Sequence, residues 1–373
     1  MTEGPGEELR EGLDGVLACE SSVCHIDGAS GLLLYRGYDF RSFAVEAEFL
    51  SVVLLLWHGE WPSGDVLAEF SEETKHHRDL KQAVADLLPM ITDGANPMAV
   101  MRTVLSVAGV LDQNAEDSSP ENVLRSATTL ISMTPTVVAS MSRLTQGKDP
   151  VEPRRDLGHA ANFLYMLHGE EPTEGASAAL NTVLNTYAEH ELNASTFAAR
   201  TAVGTLSDYY SAVVAACSAL KGALHGGAID DSMYLFREIG ELDNVSGYIE
   251  EALAAKRKVP GFGHRVYRTR DPRAYPMEEL ARVLGEESGE TQWYQIARSV
   301  EQELLERKGL NPNVDYYSAI VLYHLGFPLD LLTSFIVTSR LAGWTAHICE
   351  QFESNRLIRP RARYVGSTER LVK

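Results

Sequence analysis

Along most of the chain, apolar residues recur three and four positions apart, the spacing of one helical face. From Phe197 to Leu220 the stripe runs through Val203, Leu206, Tyr210, Val213, Cys217 and Leu220, and predicts a single helix. Small residues surround it (Ala198, Ala199, Ala202, Gly204, Ala212, Ala215 and Ala216), so neighbours can approach on several sides. Such a helix belongs deep in the core or at a subunit contact. Further helical stretches are predicted over 247–258, 294–308, 314 to about 325 and about 330–352, with Asn313 as an N-cap. Strand signals are sparse. The best is Leu32-Leu33-Leu34-Tyr35 between Gly31 and Arg36-Gly37, which predicts a short hairpin arm. Helix period breaks at 221–227 (Lys-Gly-Ala-Leu-His-Gly-Gly) and again near Gly326-Phe327-Pro328. The pattern predicts an all-α fold in two unequal domains with boundaries near these breaks.

Composition narrows the class. The 373 residues are 45% hydrophobic and 23% charged, a globular balance in a chain longer than one compact core usually serves. The longest apolar run, Phe49 to Trp57, is broken by Ser51 and is too short to span a bilayer. The acidic start, MTEGPGEELREG, lacks the plan of a secretory signal or transit peptide, which predicts a soluble cytoplasmic protein. Four cysteines at 19, 24, 217 and 349 make no disulfide framework. Cys19 and Cys24 lack a second pair for zinc and His76-His77 sits in a charged stretch, so no metal is expected. A net charge of −19 disfavours nucleic acid and anionic membrane as partners. Only eight of the 33 basic residues are lysine, as in proteins of a salt-rich cytoplasm, although GC-rich codon usage also favours arginine.

Within that acidic chain, VPGFGHRVYRTRDPRA at 259–274 gathers His264, Arg265, Arg268, Arg270 and Arg273. Reactive side chains also stand where helix period breaks in HELNASTFAAR (190–200), GALHGGA (222–228) and PNVDYYS (312–318). Singly, each has a structural reading. His190 can bond at a helix junction capped by Asn193 or Ser195, and His225 can close a helix C-terminus. Asp315 can serve a helix dipole, and the arginines can be a solvated face.

Together the inventory suits carbon–carbon bond formation. A carboxylate removes a proton beside a carbonyl, and a neutral histidine donates to the oxygen on which enolate charge develops. A second histidine polarises an acceptor carbonyl, while arginines hold carboxylates and phosphates through paired N–H groups. Aspartate at a helix start is a weak base, so its basicity has to come from desolvation when the site closes.

These four segments, in this order, resemble the signature of the citrate synthase family. The resemblance extends from GLDGVLACESSVCHIDGASGLLLYRGYDF (12–40) through LLLWHGEWP (54–62) to EQFESNRLIRPRARYVG (350–366). It is with the short, archaeal and Gram-positive-like branch, which includes 2-methylcitrate synthases. Asn96-Pro97-Met98 stands where the family often carries His-Pro-Met, a departure away from the catalytic positions.

The resemblance implies an all-helical fold with a large domain (1–221 and 326–373) and an inserted small domain (222–325) that closes over substrate. It implies condensation of acetyl-CoA with oxaloacetate and hydrolysis of citryl-CoA, without a cofactor. His225 would hold the thioester oxygen, Asp315 would take the methyl proton, and His264 would polarise and protonate the ketone. His190, Arg273 and Arg340 would bind oxaloacetate, joined by Arg359 from the partner of a homodimer. Coenzyme A would meet Val259, Pro260, Gly261, Phe262, Gly263 and Arg268, with Lys256, Arg257 and Lys258 as phosphate neighbours. Arg265 and Arg270 are left as surface or structural charges.

The close rival is a 2-methylcitrate synthase that takes propionyl-CoA. Ala319 stands where many citrate synthases have glycine, which favours the rival, although one methylene is worth only ~1–3 kcal/mol. A non-enzymatic CoA-binding protein is a third reading; it predicts loss of at least one of His225, His264 and Asp315, and all three are present.

Overall fold

The computed structural model describes residues 9–368 and 370. A three-stranded antiparallel meander comes first: β1 (Cys24–Asp27), β2 (Leu32–Tyr35) and β3 (Tyr38–Asp39). Cys24 pairs with Tyr35 and Asp27 with Leu32, so the hairpin arm read from the sequence is present. Helices follow: α1 (Phe49–His58), α2 (Gly64–His76), α3 (Gln82–Thr92), α4 (Pro97–Val110), α5 (Pro120–Thr145), α6 (His159–His168), α7 (Glu174–Tyr187), α8 (Ala194–Val203) and α9 (Tyr209–Leu220). The remainder are α10 (Ala228–Ile239), α11 (Val245–Ala254), α12 (Ala274–Ser288), α13 (Gln292–Lys308), α14 (Val314–His324) and α15 (Leu332–Glu353). The fold is all-α with one small sheet.

The core follows from the two most completely buried helices. α1 is buried from Phe49 to Trp57 and α15 from Leu332 to Ile348. A helix apolar or small on every side has to be surrounded by others, and α15 packs against α1, α5, α7, α8 and α9. The segment 228–324 packs largely on itself, α12 and α10 against α14 and α11 against α13. Its links outward are few and informative: α10 touches α15, α12 and α14 touch α7, and its loop at 266–270 meets the β1–β2 turn.

Two expectations are corrected. The stretch 197–220 is two helices, because the chain turns at Gly204 and leaves Leu206 74% exposed at φ 65°. Asp208 then starts α9 by accepting from the Ser211 N–H at 2.9 Å. The apolar spacing continued by coincidence across the turn. The helix read over 247–258 ends at Ala254, since Lys256 adopts φ 55°. Asn313 does cap α14, its side-chain oxygen accepting from the Asp315 N–H at 3.0 Å. Among the described residues no helix is long and apolar enough to cross a membrane.

Candidate active site

The segment between α7 and α8 forms the centre. α7 ends at Tyr187, Ala188 to Asn193 run outside helix, and Asn193 caps α8 by accepting from the Thr196 N–H at 3.1 Å. Glu191 is forced to φ 54°, a left-handed conformation unusual for a side chain with a Cβ. That turn leaves His190 buried, with its Nε2 lacking any hydrogen-bond partner. Its ring packs against His264 at 5.1 Å and Tyr267 at 5.7 Å between centroids. Burial, then Arg273, His264, Arg340 and His225, push its pKa well below the usual histidine value. Those four neighbours are all site residues expected from the sequence, now gathered around one imidazole.

His225 and His264 are both held neutral, but by opposite ring nitrogens. His225 sits in the turn between α9 and α10, where its Nε2 accepts the Ser195 N–H at 3.3 Å and lies 2.9 Å from the Ser195 Oγ. Trp344 Nε1 donates to that Oγ at 3.1 Å, and the hydroxyl also reaches Asn193 Oδ1 at 2.8 Å. Since Nε2 accepts, the proton of the neutral ring belongs on Nδ1. In His264 it is Nδ1 that accepts, from the N–H groups of Val266 at 3.0 Å and Tyr267 at 3.1 Å, so Nε2 carries the proton. Burial pushes both pKa values down to about 4, with Arg340 adding to the effect on His225 and Arg273 on His264. Each is a neutral imidazole with one N–H to offer.

Asp315 lies in the first turn of α14, half-buried, with Oδ1 accepting from the Tyr187 hydroxyl at 2.8 Å. Burial raises its pKa above the ordinary carboxylate range, against the pull of Tyr187 and Arg273. Packing within the chain therefore supplies part of the desolvation that raises its basicity. The VPGFG loop is fastened to the same helix start: Asn313 N donates to Gly261 O at 2.8 Å and Gly263 N to Asn311 O at 3.1 Å. Gly261 is required there, because at φ 76° a Cβ would come within 2.7 Å of the Tyr316 ring. Val259, Pro260, Phe262 and Gly263 are half-buried along this loop.

Of the arginines, Arg273 is buried and bidentate to Asp271, Nε to Oδ1 at 3.0 Å and Nη2 to Oδ2 at 2.7 Å, leaving Nη1 for another ligand. Arg340 on α15 gives its Nε to Tyr187 O at 2.6 Å, and its two terminal nitrogens make no hydrogen bond or ion pair among the described residues. Arg268 projects into solvent while its N–H donates to Gly28 O at 2.8 Å. Lys256, Arg257 and Lys258 are exposed, and Arg257 pairs with Glu251 at 3.4 Å. Arg265 meets Asp14 at the surface, at 3.4 Å. Arg270 is structural: it pairs with Glu278 and Glu301, the latter also held by Arg298 and Tyr317. Arg359 lies exposed in the tail beyond α15. Among the described residues, no group of His, Cys, Asp and Glu could hold a metal ion.

Sequence reasoning did not single out Tyr187, Asp271, Tyr267, Trp344 or the partnership of Ser195 with His225. Asp271 had a local signal, two positions before Arg273 in DPRA. The others act across contacts of 30 to 149 residues in the chain (Ser195 with His225, Tyr187 with Asp315, Ser195 with Trp344), which no local pattern encodes.

Comparison with known proteins identifies the family. A family profile described as citrate synthase, C-terminal domain, matches residues 12–361. The citrate synthase of Haloferax volcanii is 44% identical over 97% of both chains. A 2-methylcitrate synthase of Mycobacterium tuberculosis is 37% identical over 98% of this chain and 92% of its own. The solved ternary complex of carboxymethyl coenzyme A and oxaloacetate with the citrate synthase of Thermoplasma acidophilum superposes with a TM-score of 0.93, at 32% identity and 98% coverage of each chain. The chain belongs to the citrate synthase family, an enzyme family.

Proposed function

We propose that the chain condenses acetyl-CoA with oxaloacetate and water to give citrate and CoA. The observation that carries this reading is a pair of neutral histidines with opposite tautomers and a half-buried carboxylate that share Arg273 and Arg340 as charged neighbours. Asp315, raised in basicity by burial, removes a methyl proton from the acyl group. His225 donates its Nδ1–H to the thioester oxygen as the enol forms, and Ser195 keeps the opposite nitrogen occupied as an acceptor. The enol carbon then attacks the ketone carbon of oxaloacetate. His264 gives its Nε2 proton to the ketone oxygen, yielding citryl-CoA. Water cleaves the thioester, releasing CoA and the third carboxylate of citrate.

His190, Arg340 and the remaining Nη1 of Arg273 hold oxaloacetate, and Arg359 of a second subunit completes the carboxylate cage in a homodimer. The VPGFG loop and Arg268 receive coenzyme A, with Lys256, Arg257 and Lys258 near its phosphates. The segment 222–325 acts as a small domain inserted in a larger one formed by 1–221 and 326–373, and its closure excludes water from the thioester. The enzyme works in the cytoplasm, on these two substrates alone, without metal or cofactor.

Ala319 gives a second reading a specific footing. It is fully buried one helical turn beyond Asp315, and the reading takes its side-chain volume to adjust the room for the acyl chain. The experiment is release of CoA with oxaloacetate and either acetyl-CoA or propionyl-CoA. Preference for acetyl-CoA is expected; faster turnover of propionyl-CoA would make the protein a 2-methylcitrate synthase. Asp315→Asn keeps the shape but removes the base, so turnover should fall by roughly 10²–10⁴ while oxaloacetate still binds. Near-normal turnover in that variant would remove Asp315 from the mechanism.

A further inference from the structure

Three buried ionisable side chains lie next to the His190 segment and have no part in the chemistry above. Glu189, immediately before His190, is fully buried, as is His347; Arg200 is 3% exposed. His347 bridges the other two. Its Nδ1 accepts from Arg200 Nη1 at 3.0 Å, which leaves the proton on Nε2, and Nε2 meets Glu189 Oε1 at 3.1 Å. Arg200 already has its own anion, Glu350, at 2.7 Å, and a further acceptor in Gln351 at 3.0 Å. With Nδ1 accepting, the imidazole adds no cation beside Glu189, and among the described residues no Lys or Arg is paired with that carboxylate.

Arg340 is its complement, a buried cation with no anion in direct contact. Arg273 is answered by Asp271 and Arg200 by Glu350, both at 2.7 Å. One stripe of α15 brings Arg340 and Glu189 together. Arg340 binds Tyr187 O at 2.6 Å, the Gly343 N–H binds Ala188 O at 3.1 Å, and His347 binds Glu189. Helix and segment run so close that a Cβ on Gly343 would lie 2.0 Å from Glu189 Oε2, the oxygen left without a hydrogen bond. Burial lowers the Arg340 pKa, and Glu189 is the largest charge opposing that effect.

We infer that Glu189 is the counterion of Arg340 before substrate binds, fixed there by His347, and that it weakens the enzyme's hold on dicarboxylates. An isolated buried guanidinium is costly, so the pocket needs an anion when it is empty. A fixed carboxylate behind the arginine supplies it and then opposes the arriving dianion, which favours release of the still more negative product. Glu189 is a positioning residue for charge: it touches His347 and not the substrate. The inference rests on the proposed assignment of Arg340 to oxaloacetate.

The test is the affinity for oxaloacetate alone, by titration calorimetry, in Glu189→Gln and His347→Gln. Glutamine at 189 keeps the acceptor for His347 while removing the charge. Affinity should rise about three- to tenfold, as expected of one unit charge several ångströms away at high effective dielectric. KM for oxaloacetate should fall without a matching rise in kcat. Glutamine at 347 can serve both Arg200 and Glu189 and leaves the carboxylate in place, so affinity should stay within about twofold of wild type. A merely structural role for Glu189 predicts the opposite sign, because loosening the His190 segment weakens binding. Unchanged or weaker binding in Glu189→Gln, or equal tightening in His347→Gln, overturns the counterion role. Should Glu189→Gln fail to fold, Glu189→Met, neutral and of similar length, carries the same expectation. Failure of the wild-type enzyme to bind oxaloacetate would instead remove the pocket assignment on which the inference stands.

Discussion

His225 and His264 are made neutral by the same force and aimed by different hydrogen bonds. Burial penalises the imidazolium in both, while the acceptor nitrogen is Nε2 in one and Nδ1 in the other. This has a consequence for stability. Each ring takes up its proton near pH 6.5 when unfolded but only near pH 4 in the fold. Above 6.5 neither state is protonated, so the fold bears no penalty. As pH falls from 6.5 towards 4 the unfolded chain binds more protons, and each histidine lowers stability by up to ~1.4 kcal/mol per pH unit. His264→Gln should therefore lose less stability than wild type over that window, measured as denaturant midpoints at pH 7, 5.5 and 4.5. Equal losses in both proteins would mean that folding does not depress proton binding at His264. At this scale the sequence was eloquent about reactive groups and silent about their partners. His225, His264 and Asp315 stood out in short motifs, whereas Ser195, Tyr187 and Trp344 acquire their roles only through folding.

Among the elements, α15 carries the greatest number of separate demands. Arg340, Gly343, Trp344 and His347 recur three and four residues apart, so they share one face. That face holds Tyr187, Ala188, Ser195 and Glu189 in turn. Arg340, proposed to bind oxaloacetate, the hold on the His190 segment and the support for Ser195 beside His225 therefore hang from a single helix. Gly343→Ala introduces a methyl 2.0 Å from Glu189 Oε2 and 2.5 Å from Ala188 O, and both neighbours are buried and fixed. The variant should lose about 1–3 kcal/mol of stability, seen in its denaturation midpoint, and bind oxaloacetate more weakly. Unaltered stability would mean that the helix can move aside, and that its close approach is not what sets the His190 segment. Helix period, glycine breaks and the Asn313 cap were readable in advance because they are local. The split between α8 and α9 was not, since Val203, Leu206 and Tyr210 keep helical spacing across a turn. The exposure of Leu206 is a property of the packed molecule, not of its neighbours in the chain.

For the whole molecule, Arg359 poses the question of whether one chain suffices. It lies beyond α15 in an exposed tail. A product with three carboxylates needs more charge-assisted hydrogen bonds than Arg273 and Arg340 provide, each worth about 1.5–3 kcal/mol. Inactive Arg359→Ala subunits mixed with inactive Asp315→Asn subunits, under conditions that exchange chains, should regain activity. A mixed dimer rebuilds one complete site, so recovery should approach about a quarter of wild type at equal random mixing, half the dimers each having one of two sites. No recovery despite demonstrated exchange would return Arg359 to its own chain. Sequence resemblance supplied this expectation; neither spacing nor charge could have located a residue whose place depends on another molecule.

The β1–β2 turn touches the His264 loop, through the bond from the Arg268 N–H to Gly28 O and the close approach of Gly28 to Val266. Just before β1, Ser22 binds Glu350 near the end of α15, its N–H at 2.7 Å from Oε1. On the ribosome these partners are born far apart in time. The hairpin emerges first, the catalytic loop some 240 residues later, and Glu350 328 residues after Ser22. At ~5–20 residues per second the N-terminal strands wait on the order of a minute for the surfaces that cover them. During that interval a three-stranded sheet with two unpaired edges and an apolar strand, Leu32 to Tyr35, stands without its core. Biosynthesis of this enzyme is therefore exposed to aggregation during that interval, and the hairpin, made well before its partners, is among the last segments to reach its final contacts.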